Sequence, residues 1–310
     1  MKMAKKSTLD ASIRPLLALK YWPSWLGLGV AAGISYLPLS GQHMLGKQLG
    51  TVMFHCAKRR RHIADTNLKI CYPTLTEEER VDLTKRHFQS MGKGFFETFC
   101  SWFQPPEKFQ SATTFEGQDV VDKLLSQKKG CILIGGHFSS IDLCGTLLAG
   151  HIPVHPIYKL QSNPVVNWVM EHKRKAVYEK TIERSNMREV LKSLKHNRIV
   201  WYAMDQDYGR SHSVFAPFFN RECATISAIT RIAKLTGAPI MAFDYARVGK
   251  TFSLRLIEMK DFPLDDDIAA AKAMNGLIEQ FIAPKKEQYF WTHRRFKTQK
   301  NENTPSPYDR

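Results

Sequence analysis

From residue 131 onward, short apolar runs alternate with amphipathic stretches, and few architectures accept that order. Cys131-Ile132-Leu133-Ile134 ends in Gly135-Gly136 and reads as a strand buried on both faces. Strand-like runs recur at 154–158, 199–204, 240–243 and 252–257. Helical patterns fall between them, at 141–148, 163–179, 186–195 and 225–235, with one more at 266–282. Strands that alternate with helices bury a sheet between two helical layers. The pattern therefore predicts an α/β fold, with a mixed central sheet flanked by helices. Upstream the signal is helical alone. Residues 45–70 show helical periodicity, and Thr76 with Glu79 forms a capping box. The helix it opens runs to about residue 103, before Pro105-Pro106.

Residues 21–44 contain no Lys, Arg, Asp or Glu. That is about the length that crosses a hydrocarbon core. Lys2, Lys5, Lys6, Arg14 and Lys20 precede the stretch, and Trp22 and Trp25 stand where an interfacial belt places them. Pro23, Pro38 and five glycines between Gly27 and Gly46 suit a re-entrant or interfacial helix equally well. A buried core helix is the bland alternative. Lys58-Arg59-Arg60-Arg61 follows, a cluster that attracts anionic headgroups. The expected organisation is an N-terminal membrane-associated helical extension at 1–46, one large domain at 47–300 and a tail at 301–310.

Lys and Arg number 45 against 29 Asp and Glu, a net charge of +16. So basic a chain calls for a polyanionic partner. The six cysteines form no C-x-x-C pair and have no His at zinc spacing. They read as reduced thiols of a cytosolic face, and no metal or cofactor is expected. No nucleic-acid-binding signature is present, so nucleic acid is not the expected partner.

The sharpest chemical feature is Gly135-Gly136-His137-Phe138-Ser139-Ser140-Ile141-Asp142. It puts His137 at the carboxyl end of a buried strand, where open α/β sheets carry their sites. Asp142, five residues on, falls in the first turn of the next helix and could reach back to one imidazole nitrogen. A carboxylate there fixes the tautomer while the other nitrogen takes a proton. No Ser or Cys occupies a nucleophile elbow. The expected chemistry is thus activation of a substrate hydroxyl, without a covalent intermediate. Asp205, Gln206, Asp207 and Tyr208 follow a second strand and could line the same site, though an Asp-rich turn closed by Gly209 explains them as well. Arg174, Arg231, Arg294 and Arg295 offer forks for phosphate or carboxylate; a solvated basic face is the plainer reading.

Taken in order, these blocks resemble the late acyltransferases of lipid A biosynthesis, within the His-x4-Asp/Glu acyltransferase superfamily. The resemblance runs from the N-terminal segment to Lys297. It rests on Arg60-Arg61, Asn67-Leu68 and Tyr72-Pro73, then Met91-Gly92, Glu97 and Trp102-Phe103. It continues through Gly136-His137, Asp142, Asn163-Pro164, Asp205-Gln206-Asp207-Tyr208-Gly209, Phe215 to Phe219, and Glu287-Gln288-Tyr289 to Arg295. The resemblance implies a glycerolipid-acyltransferase-like fold and an acyl donor carried on acyl carrier protein. It implies as acceptor a hydroxyl of a 3-hydroxyacyl chain on a phosphorylated, Kdo-bearing lipid A precursor. His137 would be the base, Asp142 its partner, and Arg174 an anion or oxyanion contact. The place of work would be the cytoplasmic face of a Gram-negative inner membrane. Lauroyl-type members usually carry Glu where this chain has Asp142, so chain length and acylated position stay open. A lysophospholipid or glycerophosphate acceptor is the alternative, but the phosphate-binding FPEG-like block it needs is missing; Phe215-Ala216-Pro217-Phe218-Phe219 lacks both the acid and the glycine.

Overall fold

The computed structural model describes residues 12–309, so Lys2, Lys5 and Lys6 lie outside it. Ten helices are described: α1 (Trp22–Ser35), α2 (Leu39–Cys56), α3 (Lys58–Cys71), α4 (Glu77–Phe103), α5 (Gln118–Ser126), α6 (Ile141–Ala149), α7 (Pro164–Lys175), α8 (Met187–Lys195), α9 (Ala228–Thr236) and α10 (Asp267–Ile282). The strands are β1 (Thr113–Glu116), β2 (Cys131–Gly135), β3 (Val154–Tyr158), β4 (Ile182–Glu183), β5 (Ile199–Ala203), β6 (Ser213–Phe218), β7 (Arg221–Ile226), β8 (Ile240–Val248) and β9 (Thr251–Glu258). Seven of them form one sheet in the order β1-β9-β8-β2-β5-β3-β4. Every pairing in it is parallel except β8 with β9. The sheet is mixed, mostly parallel, and flanked by helices, as the sequence implies.

β2 occupies the middle, and all five of its residues are buried. Its register with β5 matters most for function. Gly135 pairs with Ala203, so His137 and Asp205 each lie two residues past the last rung of one parallel ladder. The sheet itself brings them side by side.

The capping box predicted at Thr76 and Glu79 is present and opens α4, which runs 27 residues. α10 is capped by Asp266, whose side chain accepts from Ile268 and Ala269 N–H. Other boundaries differ. Thr225, read as helical, lies in β7, and α9 starts at Ala228. α7 stops at Lys175, short of 179. β6 and β7 form a hairpin that the sequence does not announce. Its turn is Phe219-Asn220, both with positive φ (49° and 62°), where Asn-Gly is the usual signal. All six cysteines are free.

The apolar N-terminal stretch is not one long helix. It breaks at Leu37-Pro38, leaving α1 with 14 residues, and among the described residues no helix is long and apolar enough to cross a membrane. α2 packs along α4 with almost nothing between them. A Cβ on Gly92 would lie 2.0 Å from the Gly46 carbonyl oxygen, and one on Gly50 2.2 Å from that of Phe88. Residues 58–71 then cross to the C-terminal segment, where the Asn67 amide donates to the carbonyls of Trp291 and His293. Near the other end Tyr308 is buried, and its hydroxyl accepts from Phe296 N–H at 3.0 Å.

Candidate active site

The loop that leaves β2 is clamped from three sides. Tyr245, on β8, donates its hydroxyl to Gly136 O at 2.7 Å and accepts from Phe138 N–H at 3.1 Å. The C-terminal segment closes another side, through Ser139 N–H to Gln288 O (2.8 Å) and Phe290 N–H to His137 O (3.0 Å). Gly94 of α4 closes the third, since a Cβ there would come within 2.0 Å of Ser139 O. Backbone therefore meets backbone at Gly94, and the loop has no slack on that side.

Within this clamp His137 Nδ1 donates to Asp205 Oδ1 at 2.6 Å, and the His137 backbone N–H donates to Asp205 Oδ2 at 2.8 Å. With Nδ1 protonated, Nε2 is left as the acceptor. The Gln206 amide nitrogen lies 3.4 Å from both ring nitrogens. Asp142 is placed otherwise than its spacing suggests. Its carboxylate accepts from Arg174 Nη2 at 2.5 Å and from Thr98 Oγ1 at 3.1 Å. The carboxylate that holds the imidazole thus comes from β5, and the one five residues along the chain is held by α7 and α4. Asp142, in the first turn of α6, is taken up by Arg174 and Thr98, whereas the parallel register delivers Asp205 directly beside the ring.

Two cavities meet at this imidazole, and His137, Trp201 and Gln206 line both. The first, about 520 Å³, is largely apolar, with Phe95, Leu148, Tyr178 and Phe243 in its wall and Asp142 and Arg174 also reaching it. The second, about 940 Å³, carries Tyr208, Arg184 and Arg231. Of the residues singled out by sequence, His137, Asp142, Arg174, Gln206, Tyr208 and Arg231 therefore line the two cavities, and Asp205 supports His137. The others do not reach them. Asp207 is buried and accepts from Thr298 N–H, Thr298 Oγ1 and Gly209 N–H, so it ties the C-terminal segment down. Arg295 is buried and donates to Ala224 O, Thr225 Oγ1 and Asn275 Oδ1. Arg294 lies over the Tyr308 ring. A guanidinium buried in the core, with both terminal nitrogens already donating there, cannot also read a substrate. Thr98, Tyr245 and Trp201 carried no sequence signal, because only the fold brings them to residue 137.

Burial alone would lower the His137 pKa. The adjacent Asp205 charge and its hydrogen bond outweigh burial, and the imidazole ends above its ordinary 6.5. Burial would raise Asp205, but the imidazole's charge and two hydrogen bonds bring it down to about 2. His293, nearby, is pushed down to about 4 by burial and accepts the Asp207 N–H in its neutral form. A base must be deprotonated to work. The kcat/KM profile should therefore rise with pH through an inflection above 6.5. In Asp205→Asn the raising charge is gone while burial stays, so the inflection should move to lower pH. An inflection that stays put or moves up would show that Asp205 does not set the imidazole's affinity for protons.

An imidazole oriented by a carboxylate, at the strand ends of an α/β sheet and open to an apolar cavity, is the kind of site that transfers a group beside a hydrocarbon chain. The chain belongs to the bacterial lipid A biosynthesis acyltransferase family, whose model matches residues 12–298. It is 34% identical to a lipid A biosynthesis lauroyltransferase of Escherichia coli K12 over 297 residues, covering 94% of this chain and 97% of that protein. A lipid A biosynthesis palmitoleoyltransferase of the same organism is 36% identical over 289 residues, covering 92% and 94%. A myristoyltransferase of that pathway is 27% identical over 286 residues, covering 91% and 88%. The protein is an acyltransferase of lipid A biosynthesis.

Proposed function

We propose that the protein moves a fatty acyl chain from acyl carrier protein to the hydroxyl of a 3-hydroxyacyl chain on a phosphorylated, Kdo-bearing lipid A precursor. The observation that carries this reading is the position of His137, oriented by Asp205 where an apolar cavity and a basic one meet. Nε2 accepts the hydroxyl proton as the hydroxyl oxygen attacks the thioester carbonyl. The tetrahedral oxyanion collapses, the C–S bond breaks, and the imidazolium returns the proton to the departing thiolate. Asp205 stabilises the imidazolium between those events. Asp142 and Arg174 form a second charged pair on the wall of the apolar cavity, and the guanidinium supplies positive charge near the developing oxyanion. The relatives' names specify lauroyl, palmitoleoyl and myristoyl groups, all hydrocarbon chains suited to an apolar slot.

The test is incubation of detergent-purified protein with acyl carrier proteins bearing chains of different length and a Kdo-lipid A precursor, with the lipid product read by mass spectrometry. A mass gain equal to one chain is expected. Folded protein that acylates a lysophospholipid and leaves the lipid A precursor untouched would sink this reading.

Membrane seating is the second part of the proposal. Trp22, Leu26 and Val30 follow one another at four-residue spacing on α1, and they are 60%, 72% and 56% exposed. Leu17, Leu19, Met44 and Val52 extend the exposed apolar surface; Lys20 and Lys47 are exposed basic residues on the same segments, and Lys58 and Arg59 are exposed at the start of α3. Such a surface lies in the interface plane, with the apolar stripe among acyl chains and the cations at headgroups. The membrane would be the inner one, on its cytoplasmic face. The double substitution Trp22→Glu and Leu26→Glu should reduce sedimentation with anionic vesicles by about tenfold. Undiminished sedimentation would place the contact elsewhere.

A further inference from the structure

The two cavities that share His137 open among different sets of helices. The first is rimmed by Met53 of α2 and by Met91 and Phe95 of α4. Met53 and Phe95 are 38% and 51% exposed, so this mouth continues the apolar surface of the N-terminal helices. The second cavity is walled by α8, α9 and the segment that follows β5. α8 packs on β5 and on α9, whereas α1 packs on α4 and α7, and α2 on α4 and α3. The second mouth therefore lies among helices other than those that carry the apolar stripe.

Its walls are amphipathic. Met187, Leu191, Tyr202, Tyr208 and Ile226 give it an apolar lining. Arg184 and Arg231 stand exposed in it, with Arg188 and Lys192 exposed on the adjoining helix. Among the described residues none of these four has a carboxylate within ion-pair distance; Lys180 and Lys234 are the nearby cations that do. Asp267 is the acid that reaches the cavity, and it accepts a hydrogen bond from Thr230.

We propose that the α8–α9 cavity is the donor's entry. An acidic carrier protein docks on Arg184, Arg188, Lys192 and Arg231, and its thioester arm passes Tyr208 to reach His137. This rests on the reading that the donor is a protein-borne thioester. Guanidinium forks at the mouth meet the phosphate that joins such an arm to its carrier, and the long apolar-walled passage takes the arm itself. A phosphorylated lipid fits this mouth poorly. Its chains would have to leave the surface that holds α1 and α2, whereas the Met53–Phe95 mouth admits them directly. Each substrate then reaches His137 by its own route.

The test uses full-length protein in detergent and the double charge reversal Arg184→Glu/Arg231→Glu. The KM for acyl carrier protein should rise about tenfold or more while the KM for the lipid precursor stays within about twofold. The loss should be much smaller with acyl-pantetheine, which has neither phosphate nor protein. The Arg184→Lys/Arg231→Lys variant should recover most of the donor affinity, which shows that the reversal acts through charge and not through misfolding. A rise confined to the lipid's KM would assign the cavity to the phosphorylated lipid and overturn the proposal, as would no change in either. Wild-type protein that transfers nothing from the carrier would defeat the reaction proposed above. Carrier binding read by fluorescence anisotropy would still decide the surface, and equal affinity in wild type and reversal variant would overturn it.

Discussion

Replacement of His137 by alanine is expected to lower kcat for lipid acylation by roughly 10²–10⁴-fold, the usual contribution of a positioned general base. Asp205→Asn should lose a comparable factor. The asparagine amide can donate to Nδ1, which favours the tautomer with its proton on Nε2 and removes the acceptor the hydroxyl needs. Because the two residues act as one unit, the double variant should be scarcely slower than either single one. Both proteins should stay folded, since the loop is held by Tyr245, Gln288 and Phe290 whatever residue 137 carries. Asp142→Asn is the informative comparison. Its carboxylate is held by Arg174 and Thr98, so its loss should act through Arg174 and leave the imidazole's tautomer alone. If Asp142→Asn costs more than Asp205→Asn and moves the pH profile further than Asp205→Asn does, the orienting carboxylate is Asp142 and not Asp205.

The largest effect on stability is expected at Arg247. Its guanidinium is buried under α4, where it pairs with Glu97 and donates to Ser90 Oγ (3.1 Å) and Ser139 Oγ (3.2 Å). His43 of α2 meets the same carboxylate at 2.7 Å. Burial alone would raise the Glu97 pKa, and the Arg247 charge with the hydrogen bonds from His43 and Arg247 holds it below its ordinary value. Arg247→Met strands that carboxylate in the core with only His43 to answer it, which should cost about 3–5 kcal/mol. For a chain of this size the melting temperature should fall by about 6–20 °C. Adding Glu97→Gln should recover much of the loss, because the stranded charge and not the missing attraction carries most of the penalty. A double variant no more stable than Arg247→Met would show that Arg247 acts through packing or through its serine contacts.

The strand after which His137 sits could be read directly, as could the helix that Asp142 opens and the α/β order that follows, because each is a local pattern of apolar residues and glycines. The pairing of His137 with Asp205 could not. It depends on β2 and β5 lying next to each other in parallel with Gly135 beside Ala203, and strand order is a property of the whole sheet. The sequence does mark both residues as following strands, so the right carboxylate was in view without its role. Arg295 and Asp207 look like ligand-binding residues because polar side chains in a motif look alike whether they face substrate or core. The N-terminal run is legible as an apolar segment without charged residues. Its break at Pro38, which leaves α1 with 14 residues, is marked in the sequence.

Gly94 has a consequence for how the site moves. Between most helices and loops lie side chains that change rotamer and absorb small displacements. At Gly94 there are none: the α4 backbone abuts the carbonyl of Ser139, and Gly46, Gly50 and Gly92 join α4 to α2 in the same way. α2, α4 and the loop that bears the imidazole therefore behave as one stiff piece. On the membrane seating proposed above, the place where that piece rests would fix how high His137 stands over the lipid surface.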